Sequence, residues 1–177
     1  MKTIADVCDF IQKHVRQQPI IVETGCTYTS TPDTLIHVTT PNLARIARAL
    51  DGALYSIDKD PDHIRYSQTL LEGYEYNPVI FMCGNSVEVL TQAKKTIAPV
   101  DILCLDSVND ADHMMNEFVA IEDRLAPNHY ILVDDIHNPN AVKWKKLVPY
   151  LKENGYRGIE IPTPTGLFLA TKGYPLE

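Results

Sequence analysis

Two hydrophobic periods alternate along this chain. Ile4, Val7, Cys8, Ile11 and Val15 recur at helical spacing, which predicts an amphipathic helix over residues 3–18 that Pro19 ends. Short apolar runs bounded by turn residues follow at residues 20–22, 53–57, 79–83, 102–105 and 130–133, and each reads as a strand. Helical patterns separate them. Thr40 as N-cap and Pro41 at the first position open a helix to Leu50, with Leu43, Ile46, Ala47 and Leu50 on one face. Another starts near Asp60-Pro61 and closes at Gly73. Residues 86–96 form a third, with Val87, Leu90 and Ile97 turned inward, and residues 111–125 a fourth. Residues 140–154 are mostly helical, kinked or split at Pro149, which lacks a donor and crowds the preceding turn. The end differs in kind: residues 158–161 and 167–171 are β-rich and close enough for an antiparallel hairpin.

Repeated βα steps closed by a hairpin predict an α/β three-layer sandwich. Its doubly wound, seven-stranded, mostly parallel sheet takes the final antiparallel strand beside the fifth. At 177 residues, one domain spanning 1–177 is expected. Between the first strand and Thr40 lies a loop of Thr, Ser and Pro, residues 26–40, without clear period. Loops that long inside a compact domain are usually functional or mobile.

Composition narrows the function classes. A net charge of −7 disfavours a nucleic-acid partner, and the basic residues within 143–146 read as the solvated face of a helix. No apolar run is long enough to span a membrane, and the acidic N-terminal helix does not resemble a signal peptide. Cys8, Cys26, Cys83 and Cys104 lack metal or disulfide spacing, so reduced thiols in a cytoplasmic protein are expected.

The chemistry gathers at strand ends. In an open α/β sheet the ligand crevice lies outside the carboxyl ends of the strands. Those ends carry Glu23, Thr24 and Gly25, then Asp58, then Asn85 and Ser86, then Asp106, then Asp134 and Asp135. Asp58 at the end of the second strand suits the two hydroxyls of a ribose. Gly25 is either a tight-turn residue or part of a ligand cradle, and Asn85 and Ser86 serve equally as helix caps. A dinucleotide site would need three glycines in the first loop, and only Gly25 is there. S-adenosylmethionine, a nucleoside cofactor without a pyrophosphate, does not need them. Asp106, Asp134 and Asp135 crowd three acids together, which calls for a cation or strong donors.

The runs IVETG, ALYSIDKDPDHI, CGNSVEVL, DILCLDSVNDADHMMNEF and YILVDDIHN, in that order, resemble a class I S-adenosylmethionine-dependent methyltransferase. The chain is most similar to the catechol and caffeoyl-CoA O-methyltransferase type and its small bacterial relatives. The resemblance implies that Glu23, Thr24 and Gly25 shape the methionine end of the cofactor pocket. Asp58 holds the ribose, Asn85 and Ser86 flank the adenine, and Asp106 serves the cofactor and a metal. Asp106, Asp134 and Asp135 fall on the family's metal positions, the last replacing the usual Asn, and suit Mg²⁺. Two departures stand out. Thr29 replaces a second glycine, and Asn109 stands where the family carries its catalytic Lys. Asn cannot act as a base, so His137 becomes the candidate catalytic residue, with His113 nearby on the following helix.

The expected activity is methyl transfer to an oxygen of a small-molecule acceptor, with Mg²⁺ as helper and a homodimer suggested by family analogy. Two alternatives remain open: a non-catalytic Rossmann-like binding or scaffold protein, and a metal-dependent nucleotide enzyme using the same carboxylates.

Overall fold

The computed structural model describes residues 1–28, 32–72 and 78–176, with residues 32–34 described by their backbone alone. Thr29 and Gly73 lie outside the described residues. The chain runs α1 (Ile4–His14), β1 (Ile20–Thr24), α2 (Thr39–Ala49), β2 (Ala53–Asp58), α3 (Pro61–Leu70), β3 (Val79–Cys83) and α4 (Ser86–Ala93). It continues through β4 (Val100–Leu105), α5 (Ala111–Ile121), β5 (Leu125–Asp134), α6 (Trp144–Glu153), β6 (Arg157–Ile161) and β7 (Leu167–Lys172).

The sheet has the order β3-β2-β1-β4-β5-β7-β6. Strands β1 to β5 are parallel, with Val22 of β1 beside Tyr55 of β2 and Leu103 of β4. β7 runs antiparallel between β5 and β6. This is the expected seven-stranded sandwich with its terminal hairpin inserted beside β5. Side-chain alternation divides the core between the two faces. In β4, Ile102 and Cys104 face α1 and α2 through Ile4, Ile11, Leu43 and Ile46. Leu103 and Leu105 face α4, α5 and α6 through Leu90, Phe118 and Leu147. All are fully buried, and each such aliphatic side chain contributes about 1.5–3 kcal/mol.

Local chemistry sets the helix starts that frame the sheet's upper edge. Asp60 caps α3, its carboxylate accepting from Asp62 N–H at 2.8 Å, with Pro61 at the first position. Asn85 caps α4 through the N–H groups of Val87 and Glu88, and Asp110 caps α5 through His113 N–H. At the opposite edge, Asp101 is buried and accepts from Arg16 Nε and Nη2 at 2.7 and 2.9 Å and from Ile20 N–H at 2.8 Å, tying the end of α1 to β1 and β4.

Several boundaries depart from the sequence pattern. α1 ends at His14, before Pro19 is reached. α2 is capped by Val38, whose apolar side chain makes no bond, and Thr40 lies inside the helix with its hydroxyl on Glu23. The loop 26–40 contains a 3-10 turn, Pro32–His37. α4 stops at Ala93, and Val87 is half-buried while Leu90 and Ile97 are buried. β5 begins at Leu125, taking the last residue assigned to the preceding helix. α6 starts at Trp144 and accommodates Pro149 without splitting. Among the described residues no helix is long and apolar enough to cross a membrane.

Candidate functional site

A cleft of about 660 Å³ opens above the carboxyl ends of the strands, within the range of small-molecule sites. Gly25, Asp58, Asn85, Ser86, Asp106, Asp134 and Asp135 line it, as do Ser107, Asn109, His113 and Lys143. The residues 37–39 close one side, so the long loop contributes to the wall.

Gly25 is more than a turn residue. Its φ is +81°, and a Cβ there would stand 2.3 Å from the backbone oxygen of Asp106. The loops after β1 and β4 therefore cross at a distance only glycine allows. Asp58 sits beside it: Oδ2 accepts from Cys26 N–H at 3.1 Å and lies 3.3 Å from His63 Nδ1, while Oδ1 accepts from Asp60 N–H at 2.8 Å. The His63 ring stacks on Tyr28, with centroids 4.4 Å apart.

Glu23 and Thr24 do not reach the cleft. Both are fully buried beneath it. Glu23 Oε2 accepts from Ser56 Oγ at 2.6 Å and Thr40 Oγ1 at 2.9 Å, and Thr40 in turn exchanges bonds with Thr27. Burial pushes the Glu23 carboxyl up to about 7, against the pull of the Ser56, Thr39 and Thr40 hydroxyls. Glu23 is thus a strut that holds α2 and the loop after β1, and Glu23 Oε1 has no partner among the described residues.

A second buried acid was not singled out from the sequence. Glu117 of α5 is fully buried, and its Oε1 accepts from Ser86 Oγ and from Ser107 Oγ at 2.6 Å, with His113 Nε2 at 3.3 Å. Burial raises its pKa, the Ser107 and Ser86 donors opposing. The signal was present: an acid interrupts the apolar stripe of Met114, Phe118 and Ile121. Ser86 belongs to this network, whereas Asn85 is exposed and its carboxamide caps α4. His113 lies 2.8 Å from Ser86 Oγ and faces the cleft.

His137 lies elsewhere. Its ring packs over Gly166, Nε2 is 3.4 Å from Glu160 Oε2, and it does not line the cleft. The turn after β5 directs it towards the hairpin, so the candidate base lies outside the cleft at the strand ends.

Asp106, Asp134 and Asp135 do come together, but around a lysine. Lys143 Nζ is bonded to Asp106 Oδ1 and lies 2.8 Å from Asp135 Oδ2, and the lysine side chain is 4% exposed. The solvated face expected for residues 143–146 is corrected here, since Lys143 precedes α6 and turns into the cleft. Burial opposes its charge, yet Asp106 and Asp135 outweigh burial and raise its pKa above the ordinary lysine value. Asp106 and Asp135 share one ammonium, and Asp134 stands beside them. Burial, with the neighbouring Asp134 charge, lifts Asp106 to about 8, and burial also raises Asp134. Asp134 Oδ1 accepts from Asp135 N–H at 2.8 Å and Thr165 Oγ1 at 3.2 Å. Asp135 adopts φ +67°, a left-handed conformation that Asp and Asn tolerate better than most residues.

This donor set does not fit Mg²⁺. The ammonium takes one oxygen each of Asp106 and Asp135, and its positive charge beside them opposes a divalent ion at the same place. Among the described residues no group of His, Cys, Asp or Glu side chains is arranged to hold a metal. Of the three acids expected as metal ligands, Asp106 and Asp135 thus have a counter-ion in Lys143. The nucleoside cofactor does fit: the glycine cradle, the acid ending β2 and the cleft volume accommodate it.

The fold and its strand-end cleft define a class I S-adenosylmethionine-dependent methyltransferase. The family described as "Methyltransferase domain" matches residues 38–136, and the chain belongs to it. No curated protein matches the sequence. Solved structures share the fold at low identity. SMU.1697c from Streptococcus mutans, in complex with SAH, is 12% identical with a TM-score of 0.71, over 97% of this chain and 98% of that one. The O-methyltransferase TomG from Streptomyces achromogenes, involved in tomaymycin synthesis and solved with SAM, is 18% identical with a TM-score of 0.69, over 96% and 79%. An rRNA methylase from Streptococcus thermophilus is 12% identical with a TM-score of 0.67, over 97% of each chain.

Proposed function

We propose that this protein transfers a methyl group from S-adenosylmethionine to an oxygen of a small-molecule acceptor. The observation that carries the reading is the cleft itself, with the Gly25–Asp106 crossing at its floor and Asp58 at its cofactor wall. S-adenosylmethionine supplies an electrophilic methyl group on a sulfonium. Asp58 holds the ribose chiefly through Oδ1, which accepts from Asp60 N–H alone, whereas Cys26 and His63 crowd Oδ2, and Ser86 and His113 border the adenine end. Asp134 takes the acceptor's proton. Its Oδ2 has no donor among the described residues, and burial raises its proton affinity towards that of a useful general base.

The acceptor class follows from charge. The net charge of −7 and the aspartates lining the cleft oppose a polyanionic nucleic acid, although the structural neighbours include rRNA methylases. A small molecule suits the cleft's size. Four free cysteines support a cytoplasmic location.

Calorimetry with S-adenosylmethionine tests the cofactor assignment. Asp58→Ala is expected to weaken binding by about tenfold to a hundredfold, since each hydrogen bond to a carboxylate is worth roughly 1.5–3 kcal/mol. Equal binding by the variant, or none by the folded wild type, would refute it.

A further inference from the structure

We propose that the Lys143 ammonium is the resident cation of this site. On this reading it takes the place of a divalent metal between Asp106 and Asp135 and presents its remaining N–H to the acceptor oxygen. The proposal rests on the methyltransferase reading above and goes beyond it, because it assigns the positioning charge to a side chain and dispenses with a metal.

The geometry is built to deliver that lysine. Asn109 Oδ1 accepts from Val142 N–H at 2.7 Å and from Lys143 N–H at 3.3 Å, while Asn109 Nδ2 donates to Asn140 O at 2.9 Å. One side chain thus pins the segment that carries Lys143. Asn109 is the residue that the family resemblance sets against a catalytic lysine. Here that loop carries no cation; it clamps the chain segment that does. Asp135 completes the arrangement, its left-handed backbone turning the carboxylate to Nζ. Backbone held in that sparsely populated region is retained when its surroundings over-determine it, and such positions cluster at functional sites.

An ammonium has three N–H donors. Asp106 and Asp135 take two, and no partner holds the third among the described residues. Lys143 is on the cleft wall, so the third donor is available to a ligand. This arrangement also selects the acceptor. A divalent ion chelates two neighbouring oxygens, whereas one N–H holds a single oxygen. The acceptor class is therefore a lone hydroxyl, with no requirement for a vicinal diol.

The test uses Mn²⁺, read by electron paramagnetic resonance, with S-adenosylmethionine affinity measured on the same samples. Wild type is expected to show no Mn²⁺ binding tighter than about 1 mM. Lys143→Gln, which leaves the carboxylates without a counter-charge, is expected to gain Mn²⁺ binding by about tenfold or more. Lys143→Arg keeps the charge and should behave as wild type. Submillimolar Mn²⁺ binding by wild type that Asp134→Ala abolishes would overturn the proposal, as would a folded Lys143→Gln without gain. If Lys143→Gln fails to fold, the wild-type and Lys143→Arg titrations decide it. The parallel cofactor titration separates the two readings, because a failed metal result with intact S-adenosylmethionine binding leaves the methyltransferase assignment standing.

Discussion

Replacing Glu23 by Gln isolates the energetic cost of the strut beneath the cleft. The folded carboxyl titrates at about 7 and the free side chain at 4.5. A carboxyl whose folded pKa is raised binds its proton more tightly when folded, so its stabilisation is complete below 4.5. It is lost as pH rises towards 7, where the native state must either ionise a buried group or keep a proton that water would remove. The interval corresponds to about 3 kcal/mol at roughly 1.4 kcal/mol for each tenfold in proton affinity. Gln reproduces the neutral form at every pH. Urea unfolding of both proteins from pH 4.5 to pH 7.5 should therefore show Glu23→Gln gaining on wild type by about 3 kcal/mol, or roughly 6–12 °C in Tm for a chain of this size. Asp106, Asp134 and Glu117 are raised as well, but both proteins carry them and they cancel in the difference. A stability gap that stays constant over this range would mean that Glu23 ionises normally and does not bear the load assigned to it.

Two further outcomes are expected. Gly25→Ala should destabilise the fold by about 2 kcal/mol or more from the left-handed backbone alone. It should also lower cofactor affinity, because the added carbon must displace the Asp106 backbone; thermal melts with and without S-adenosylmethionine would show both. His137→Ala should leave S-adenosylmethionine binding within about twofold of wild type and cost less than about 1 kcal/mol of stability, since an exposed His–Glu pair is worth little. A large loss of binding would return His137 to the site.

The fold was legible to a large extent because its signals are local. Ile4, Val7, Cys8, Ile11 and Val15 all fall in the core as their spacing predicted. The Asp60-Pro61 start of α3 and the hairpin at the end are also where the sequence places them. Boundaries slipped where partners distant in sequence came into play. Thr40 lies inside α2 with its hydroxyl on Glu23, seventeen residues away in sequence, and Val38 caps the helix. β5 extends to Leu125 because Val100 of β4 supplies a pairing partner there.

At the site, the acids were readable because strand ends announce themselves by sequence, and Gly25, Asp58, Ser86, Asp106, Asp134 and Asp135 do line the cleft. The depth of each was not readable. Glu23 and Thr24 end the same strand that leads to Gly25, yet they point into the core, because where a strand stops and its side chains meet solvent depends on the layers packed against it.

By itself the sequence determined the order of elements, the parallel sheet with its inserted hairpin, and the gathering of carboxylates at one edge. These follow from periodicity, turn residues and the handedness of crossovers. The tertiary structure alone decided what neutralises those carboxylates. Lys143 is 37 residues from Asp106 in the chain, and nothing in its neighbourhood distinguishes it from Lys145 or Lys146. Its role comes from the fold bringing the turn before α6 over the ends of β4 and β5, where Asn109 pins the backbone and burial leaves a charge no stable course except to pair.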